Sequence, residues 1–242
     1  MDISIFIKSY RKDFRFLKYA LLSIKKNVTG YKKVVIILPE HDKIGFELPD
    51  NTEVINVKEH GNGYLFQQVC KMNAHKYCNS KYIMFSDSDV IFDHKINLQE
   101  LVIDDKPEIL FTDYTKVGDA ICWKSPTEYM LNRTVDFEFM RRNTLIYHAS
   151  TLEKIEKNYP NLTNTILKST HFSEFNFIGA WAYYHDKENY NFVNTDRWNY
   201  VPPHGTQLWS WADKNGDVLN REEYQRSLET INNALELNIT EL

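Results

Sequence analysis

Asp87 and Asp89 flank Ser88 immediately after the apolar run Tyr82-Ile83-Met84-Phe85. In an extended chain, residues two apart project to the same side, so the two carboxylates can address one point while Ser88 turns away. Paired hard oxygen donors favour magnesium or manganese, and such ions commonly serve diphosphate groups. His204, within Val201-Pro202-Pro203-His204-Gly205, is the candidate third ligand. The prolines stiffen the approach, the glycine permits a close backbone turn, and a neutral imidazole would favour manganese. A surface or packing role is the plain alternative for any one of eight histidines. Glu174 follows Ser173 at a predicted helix start, where it would sit partly exposed in the first turn near a sheet edge. Simple capping is the alternative there.

A carboxylate pair of this kind needs a strand ending beneath it. Residues 3–7 read as a first strand, and Asp13 as the N-cap of a helix with Phe14, Leu17, Ala20, Leu21 and Ile24 at helical spacing. Residues 34–38 form a second predicted strand stopped by Pro39, residues 54–57 a third and residues 82–85 a fourth. Between the last two, a helix is predicted over 64–76, after Gly61-Asn62-Gly63. It would place Gln67 and Lys71 on one face, with Gln68 beside them. A solvated helix surface is the alternative for Lys71. Such alternation is the pattern of an α/β fold, a mostly parallel central sheet flanked by helices, whose carboxyl edge is where ligands bind. Further on, residues 109–111 and 145–147 read as strands, Ser150 and Ser173 as caps of helices starting at 151 and 174, and residues 221–235 as a last helix. The segment from Trp181 to Trp211 is aromatic, Asn-rich and broken by Pro202-Pro203, so loops over a binding face are expected there.

The 242 residues are enough for one domain with a sizeable core. A net charge of −4, with 29 scattered basic residues, gives no electrostatic reason to expect nucleic acid. The amino terminus does not read as a signal peptide, and apolar runs such as 34–38 are far short of a membrane span. Cys70, Cys78 and Cys122 are odd in number and lack C-x-x-C spacing, which fits a reducing cytoplasmic setting better than a disulfide framework or a zinc site. The sequons at Asn132 and Asn161 carry no meaning without export.

With the alternating elements and the Asp87-Ser88-Asp89 edge, the chain resembles glycosyltransferases of the GT-A fold, the nucleotide-diphospho-sugar transferase type. They use a D-x-D motif after a central strand, with manganese or magnesium, to hold a nucleotide-sugar diphosphate. The resemblance extends to Lys8-Ser9-Tyr10-Arg11-Lys12-Asp13 after strand one, Gln67-Gln68-x-x-Lys71, Ser173-Glu174-Phe175-Asn176 with Gly179, and Pro203-His204-Gly205. In compact size the chain is also similar to small chlorovirus GT-A domains that resemble rhamnosyltransferases. The resemblance implies residues 1–92 as a nucleotide-sugar-binding half and 93–242 as an acceptor-binding half. It implies a metal-dependent transfer from a nucleoside-diphosphate sugar, foremost a UDP-sugar, to a glycan hydroxyl; Glu174 as base makes inversion the expectation, with retention the alternative.

On that resemblance Lys8, Ser9, Tyr10, Arg11 and Asp13 receive base and ribose, with a stacking tyrosine, a cation for phosphate and a carboxylate for hydroxyls. Gln67, Gln68, Lys71, Asp87 and Ser88 complete the donor site, and Asp87, Asp89 and His204 hold the metal. Glu174 is the expected general base, which must take the acceptor proton as the oxygen attacks. Asp113, after the strand at 109–111, is the reserve base or a sugar ligand. Trp181, Trp198, Trp209 and Trp211 offer flat faces, one or two of them expected at an acceptor cleft. A sugar nucleotidylyltransferase shares the early fold, but Lys8 to Asp13 contains no glycine to wrap a triphosphate. Nor is there an H-E-x-x-H cluster for a hydrolase, a third glycine after Gly61-Asn62-Gly63, or a P-loop. A catalytically inactive carbohydrate-binding relative is the non-enzymatic alternative, and it would need no such set of acids.

Overall fold

The computed structural model describes residues 2–208 and 221–242. Along the chain come β1 (Ile3–Lys8), α1 (Phe14–Asn27), β2 (Lys33–Pro39), β3 (Thr52–Val57), α2 (Gly63–Met72), β4 (Tyr82–Phe85) and the short β5 (Val90–Ile91). They are followed by β6 (Lys106–Asp113), α3 (Lys124–Leu131), β7 (Phe137–Glu138), β8 (Leu145–His148), α4 (Ala149–Asn158), α5 (Leu162–Lys168) and α6 (Glu174–His185). The last are β9 (Asn191–Asn194), β10 (Thr206–Gln207) and α7 (Arg221–Leu235).

The fold is α/β. Strands β3, β2, β1 and β4 lie side by side in that order, all parallel, and β8 joins antiparallel beyond β4. Apolar side chains on both faces explain the unbroken hydrophobic runs of these strands. Phe6, Val35, Ile37, Ile83 and Phe85 point to the side of α2 and α6, where Leu65, Val69, Phe177 and Ile178 meet them. Their neighbours Ile5, Ile7, Val34, Ile36 and Met84 point to the other side, onto Leu17, Leu21 and Ile24 of α1. The first of these cores draws on residues before and after position 92, so no structural break divides the two halves.

The strand order also fixes where a crevice opens at the sheet's carboxyl edge. From β1 the chain steps outward to β2 and β3, then crosses back to place β4 on the opposite side of β1. Connections leaving the carboxyl ends of β1 and β4 therefore diverge, and a crevice opens between them. A third core lies under β5, where Ile91 meets Phe16, Tyr19 and Ala20 of α1, Leu208, and Ile231 and Ala234 of α7.

Several elements differ from the sequence expectation. Asp13 does not cap α1: a 3-10 turn over Arg11–Asp13 already holds it in helical backbone geometry, and its side chain makes no capping bond. Ser150 is not the cap of α4, because β8 runs on to His148 and the chain enters the helix there, leaving Ser150 in the first turn. The stretch after Trp181 is not all loop. Trp181 is buried within α6, and residues 191–194 pair in parallel with β6. Asn-rich composition hides that strand, since its pairing is set by tertiary contact rather than propensity.

Candidate active site

Two strand ends build the floor of a cleft of about 740 Å³. The β1 ladder continues past Lys8, as the Ser9 amide donates to the Ile37 carbonyl at 3.0 Å. The β4 ladder likewise continues through Ser86, whose amide donates to Phe6 at 3.1 Å. There the extended geometry ends. Val90 N–H donates to the Asp87 carbonyl at 3.3 Å, so residues 87–90 form a turn. Strict alternation is lost with it. Ser88 does not turn away but lines the cleft beside Asp87 and Asp89, its hydroxyl donating to Asp13 at 3.3 Å.

Helix α2 supplies the next wall. Asn62 caps it by accepting from the Tyr64 amide, which sets the phase that directs Tyr64, Gln67, Gln68 and Lys71 into the cleft. Gln67 and Lys71 share a face and converge on Asp87 Oδ1, at 3.4 and 2.7 Å. Lys71 is not a solvated surface lysine. Its Nζ also lies 2.7 Å from Glu174, with side-chain exposures of 3% and 4%, and stands 4.5 Å from the centre of the Phe175 ring. Burial works to lower the Lys71 pKa, but the carboxylates of Asp87 and Glu174 outweigh it and hold the ammonium above the ordinary lysine value.

Glu174 starts α6, and Ser173 caps that helix by accepting from the Asn176 amide. The expectation of a partly exposed glutamate fails, because α6 packs on α2 and encloses the side chain. The Gln68 side-chain amide, assigned with its nitrogen toward Glu174, donates to the carboxylate. Burial raises the Glu174 pKa above the usual carboxylate range, and Lys71 pulls it back only in part.

The remaining predicted residues divide. Lys8, Ser9, Tyr10 and Asp13 line the cleft. Lys8 is buried, which lowers its pKa; its ammonium donates to the Ser9 carbonyl and stands 3.9 Å from Glu59. Tyr10 is 41% exposed and open for stacking, its phenol pKa raised by burial and by Asp13 and Asp89. Asp89 is buried, its Oδ1 facing the Gln207 amide at 3.4 Å and its carbonyl accepting from Leu208 at 2.9 Å.

Three expected site residues do not line this cleft. Arg11 is exposed, with its backbone amide tied to Asp42. Asp113 caps the turn after β6, accepting from the amide and hydroxyl of Thr115, bonds that lower its pKa. His204 pairs through Nδ1 with the Thr144 hydroxyl, and burial with Arg142 and His94 nearby depresses its pKa to about 4, so the ring is neutral near pH 7. Its segment runs into β10, which pairs antiparallel with β5, and lies so close that a side chain on Gly205 would meet the Ile91 carbonyl at 2.8 Å. Among the described residues, no three His, Cys, Asp or Glu side chains are grouped to hold a metal by themselves.

Sequence reasoning missed Tyr64, Trp123, Phe175, Glu59 and Gln207, all of which line the cleft. Tyr64 had a signal, since it lies on the same helical stripe as Gln67, Gln68 and Lys71. Gln207 had only the coarse signal of the binding-face segment it lies in, and Trp123 had none, being delivered by tertiary contact. Of the tryptophans singled out from sequence, Trp181 is a core residue, Trp198 is 40% exposed, and Trp209 and Trp211 lie outside the described residues.

No protein-family model matches the chain, and no curated protein matches it. None of the described helices is long and apolar enough to cross a membrane. The cleft brings together paired carboxylates at a strand edge, a buried glutamate held by a lysine and a glutamine, and aromatic walls.

Proposed function

We propose that the protein is a metal-dependent, inverting glycosyltransferase of the GT-A type, acting on a nucleoside-diphosphate sugar, foremost a UDP-sugar, and a carbohydrate hydroxyl. The observation that carries this reading is the convergence of Asp87, Asp89 and Glu174 on one cleft at the switch point of a parallel sheet. Such an enzyme must neutralise a departing diphosphate and remove a proton from the attacking oxygen, two tasks needing separate acid groups.

Charge favours a cation as partner. Among the described residues lining the cleft, Asp13, Glu59, Asp87, Asp89 and Glu174 face only two ammonium groups, Lys8 and Lys71. A bare diphosphate would be repelled by that surplus. Asp87 and Asp89 are hard oxygen donors suited to manganese or magnesium. Two protein carboxylates are enough where substrate phosphates supply further ligands, since such ions seldom use all-protein cages. When bound there, the cation would stabilise charge building on the leaving diphosphate.

The protein's own groups do the rest. Tyr10 offers a face for the base, Asp13 a carboxylate for sugar hydroxyls, and Tyr64 and Trp123 an aromatic wall. Glu174 takes the acceptor proton while the oxygen attacks the anomeric carbon and the carbon–oxygen bond to the diphosphate breaks, its electron pair leaving with the phosphate. Lys71 and Gln68 position that carboxylate. Cytoplasmic chemistry suits three cysteines with no disulfide among them, two of them buried.

The test is donor binding and turnover. A screen of nucleotide sugars, read by released nucleotide with and without manganese, is expected to reveal metal-dependent hydrolysis of one donor. Asp89→Ala is expected to abolish both donor affinity and turnover. Full activity of that variant without metal would reject the mechanism.

A further inference from the structure

A second concavity is about 830 Å³ in volume. One wall is α3 with Ser125 and Tyr129, and the other is the run from Asn161 through α5 to Phe172. Both walls continue along the chain into the first cleft. Trp123, immediately before α3, and Ser173 with Glu174, immediately after Phe172, line the cleft. Tyr64 ties the two spaces together, its phenol donating to the Phe172 carbonyl at 2.9 Å. The walls are also held on the site's own frame, since α5 packs on α2 and α3 packs on α6, the helices that bear Lys71 and Glu174.

The chemistry of the two spaces differs sharply. The cleft is crowded with carboxylates, whereas the described residues lining the groove include no Asp, Glu or Arg, and Lys168 and His171 are its only basic groups. Its other polar groups are neutral, among them the amides of Asn161 and Asn164 and the hydroxyls of Ser125 and Thr170. Asn161 does not spend its side chain on capping α5. Tyr129 stands 79% exposed on α3, a flat face presented at the groove with its hydroxyl in water. Amides and hydroxyls both donate and accept, which suits vicinal diols, and an exposed aromatic face suits the CH side of a sugar ring.

We propose that this groove binds a neutral oligosaccharide, the part of the acceptor glycan that extends beyond the sugar reacting at Glu174. The assignment as an acceptor subsite rests on the transferase reading of the cleft; the carbohydrate chemistry of the groove does not. A chain whose terminal hydroxyl reaches Glu174 has its next units beside Trp123 and Phe172, with Tyr129 and Asn164 further out.

The experiment uses the full chain, labelled with nitrogen-15 and titrated with neutral hexasaccharides of glucose, mannose, xylose, rhamnose and N-acetylglucosamine. Amide shifts are expected at 125–130 and 161–172 for at least one of them, with a dissociation constant of about 1 mM, as befits a contact without charge. Tyr129→Ala, exposed and outside the cleft, is expected to weaken that binding about tenfold while leaving metal-dependent donor binding unchanged, the loss of one stacking contact. Asn164→Ala serves as a second variant. Absence of groove shifts with every neutral sugar at millimolar concentration would overturn the proposal, as would shifts only with oligogalacturonate or affinity unaltered in both variants. Groove binding without any donor binding would instead sink the transferase reading and leave the groove a carbohydrate site.

Discussion

The ammonium of Lys71 and the carboxylate of Glu174 stand 2.7 Å apart in a site that leaves the two side chains 3% and 4% exposed. Asp87 shares the same ammonium at 2.7 Å, itself 29% exposed and open toward the cleft. One lysine thus holds an acid at the sheet edge and an acid at a helix start.

Removing that lysine strands both carboxylates. Lys71→Met, which keeps the stem and deletes the charge, is expected to cost about 3–5 kcal/mol, because a buried acid left without its counter-ion is worse than no pair. Urea unfolding measures it. A loss under about 1 kcal/mol would mean that water or another group already compensates Glu174.

Glu174→Gln separates binding from chemistry. Turnover is expected to fall about 10²–10⁴-fold, the usual worth of a general base, with donor affinity retained. Equal loss of donor affinity would reassign the residue to donor binding. The pH profile should carry the same signature. Burial raises the Glu174 pKa above 4.5, so activity is expected to fall on acidification at a higher pH than an exposed carboxylate would give. Its effect on stability has the opposite sense: the folded state holds the proton more tightly, so stability declines as pH rises from 4.5 through the raised value. Glu174→Gln is expected to remove that decline.

His204 behaves in reverse. Its pKa falls from 6.5 unfolded to about 4 folded, so the unfolded chain binds the extra proton between those values. Its contribution is full above pH 6.5 and is lost as pH falls toward 4. Melting temperatures of wild type and His204→Gln, followed across that window, should show a steeper acid loss in wild type. Parallel curves would contradict the half-buried neutral imidazole.

Gly179 is a point of close approach between α6 and the segment after β7. A Cβ there would sit 2.5 Å from Cβ of Phe139, itself fully buried. Gly179→Ala is expected to destabilise by about 1–3 kcal/mol through overpacking, despite the better helix propensity of alanine. A gain in melting temperature would show that Phe139 yields.

Much of this architecture could be read from local pattern. Tyr82 to Phe85 announced β4 because a short apolar run bounded by polar residues has few other homes, and Ser173 announced α6 because its hydroxyl has one obvious amide to bond. Gln67 and Lys71 shared a face as helical spacing requires, and the structure adds that both reach Asp87. What failed depended on distant segments. Glu174 looked half-open until α6 met α2, and Asp113 looked available until its turn claimed it. Trp123 entered the cleft by no local rule, and β9 formed from asparagines that propensity assigns to loops.

The packing beneath β5 bears on how the site is assembled during synthesis. Ile91 follows Asp89 by two positions, yet its cover includes Ile231 and Ala234 from the far end of the chain. While a ribosome is still extending the polypeptide at about 5–20 residues per second, the sheet and α1 can already be in place with that isoleucine bare on one side. The acid edge therefore gains its full backing only once α7 packs beneath it.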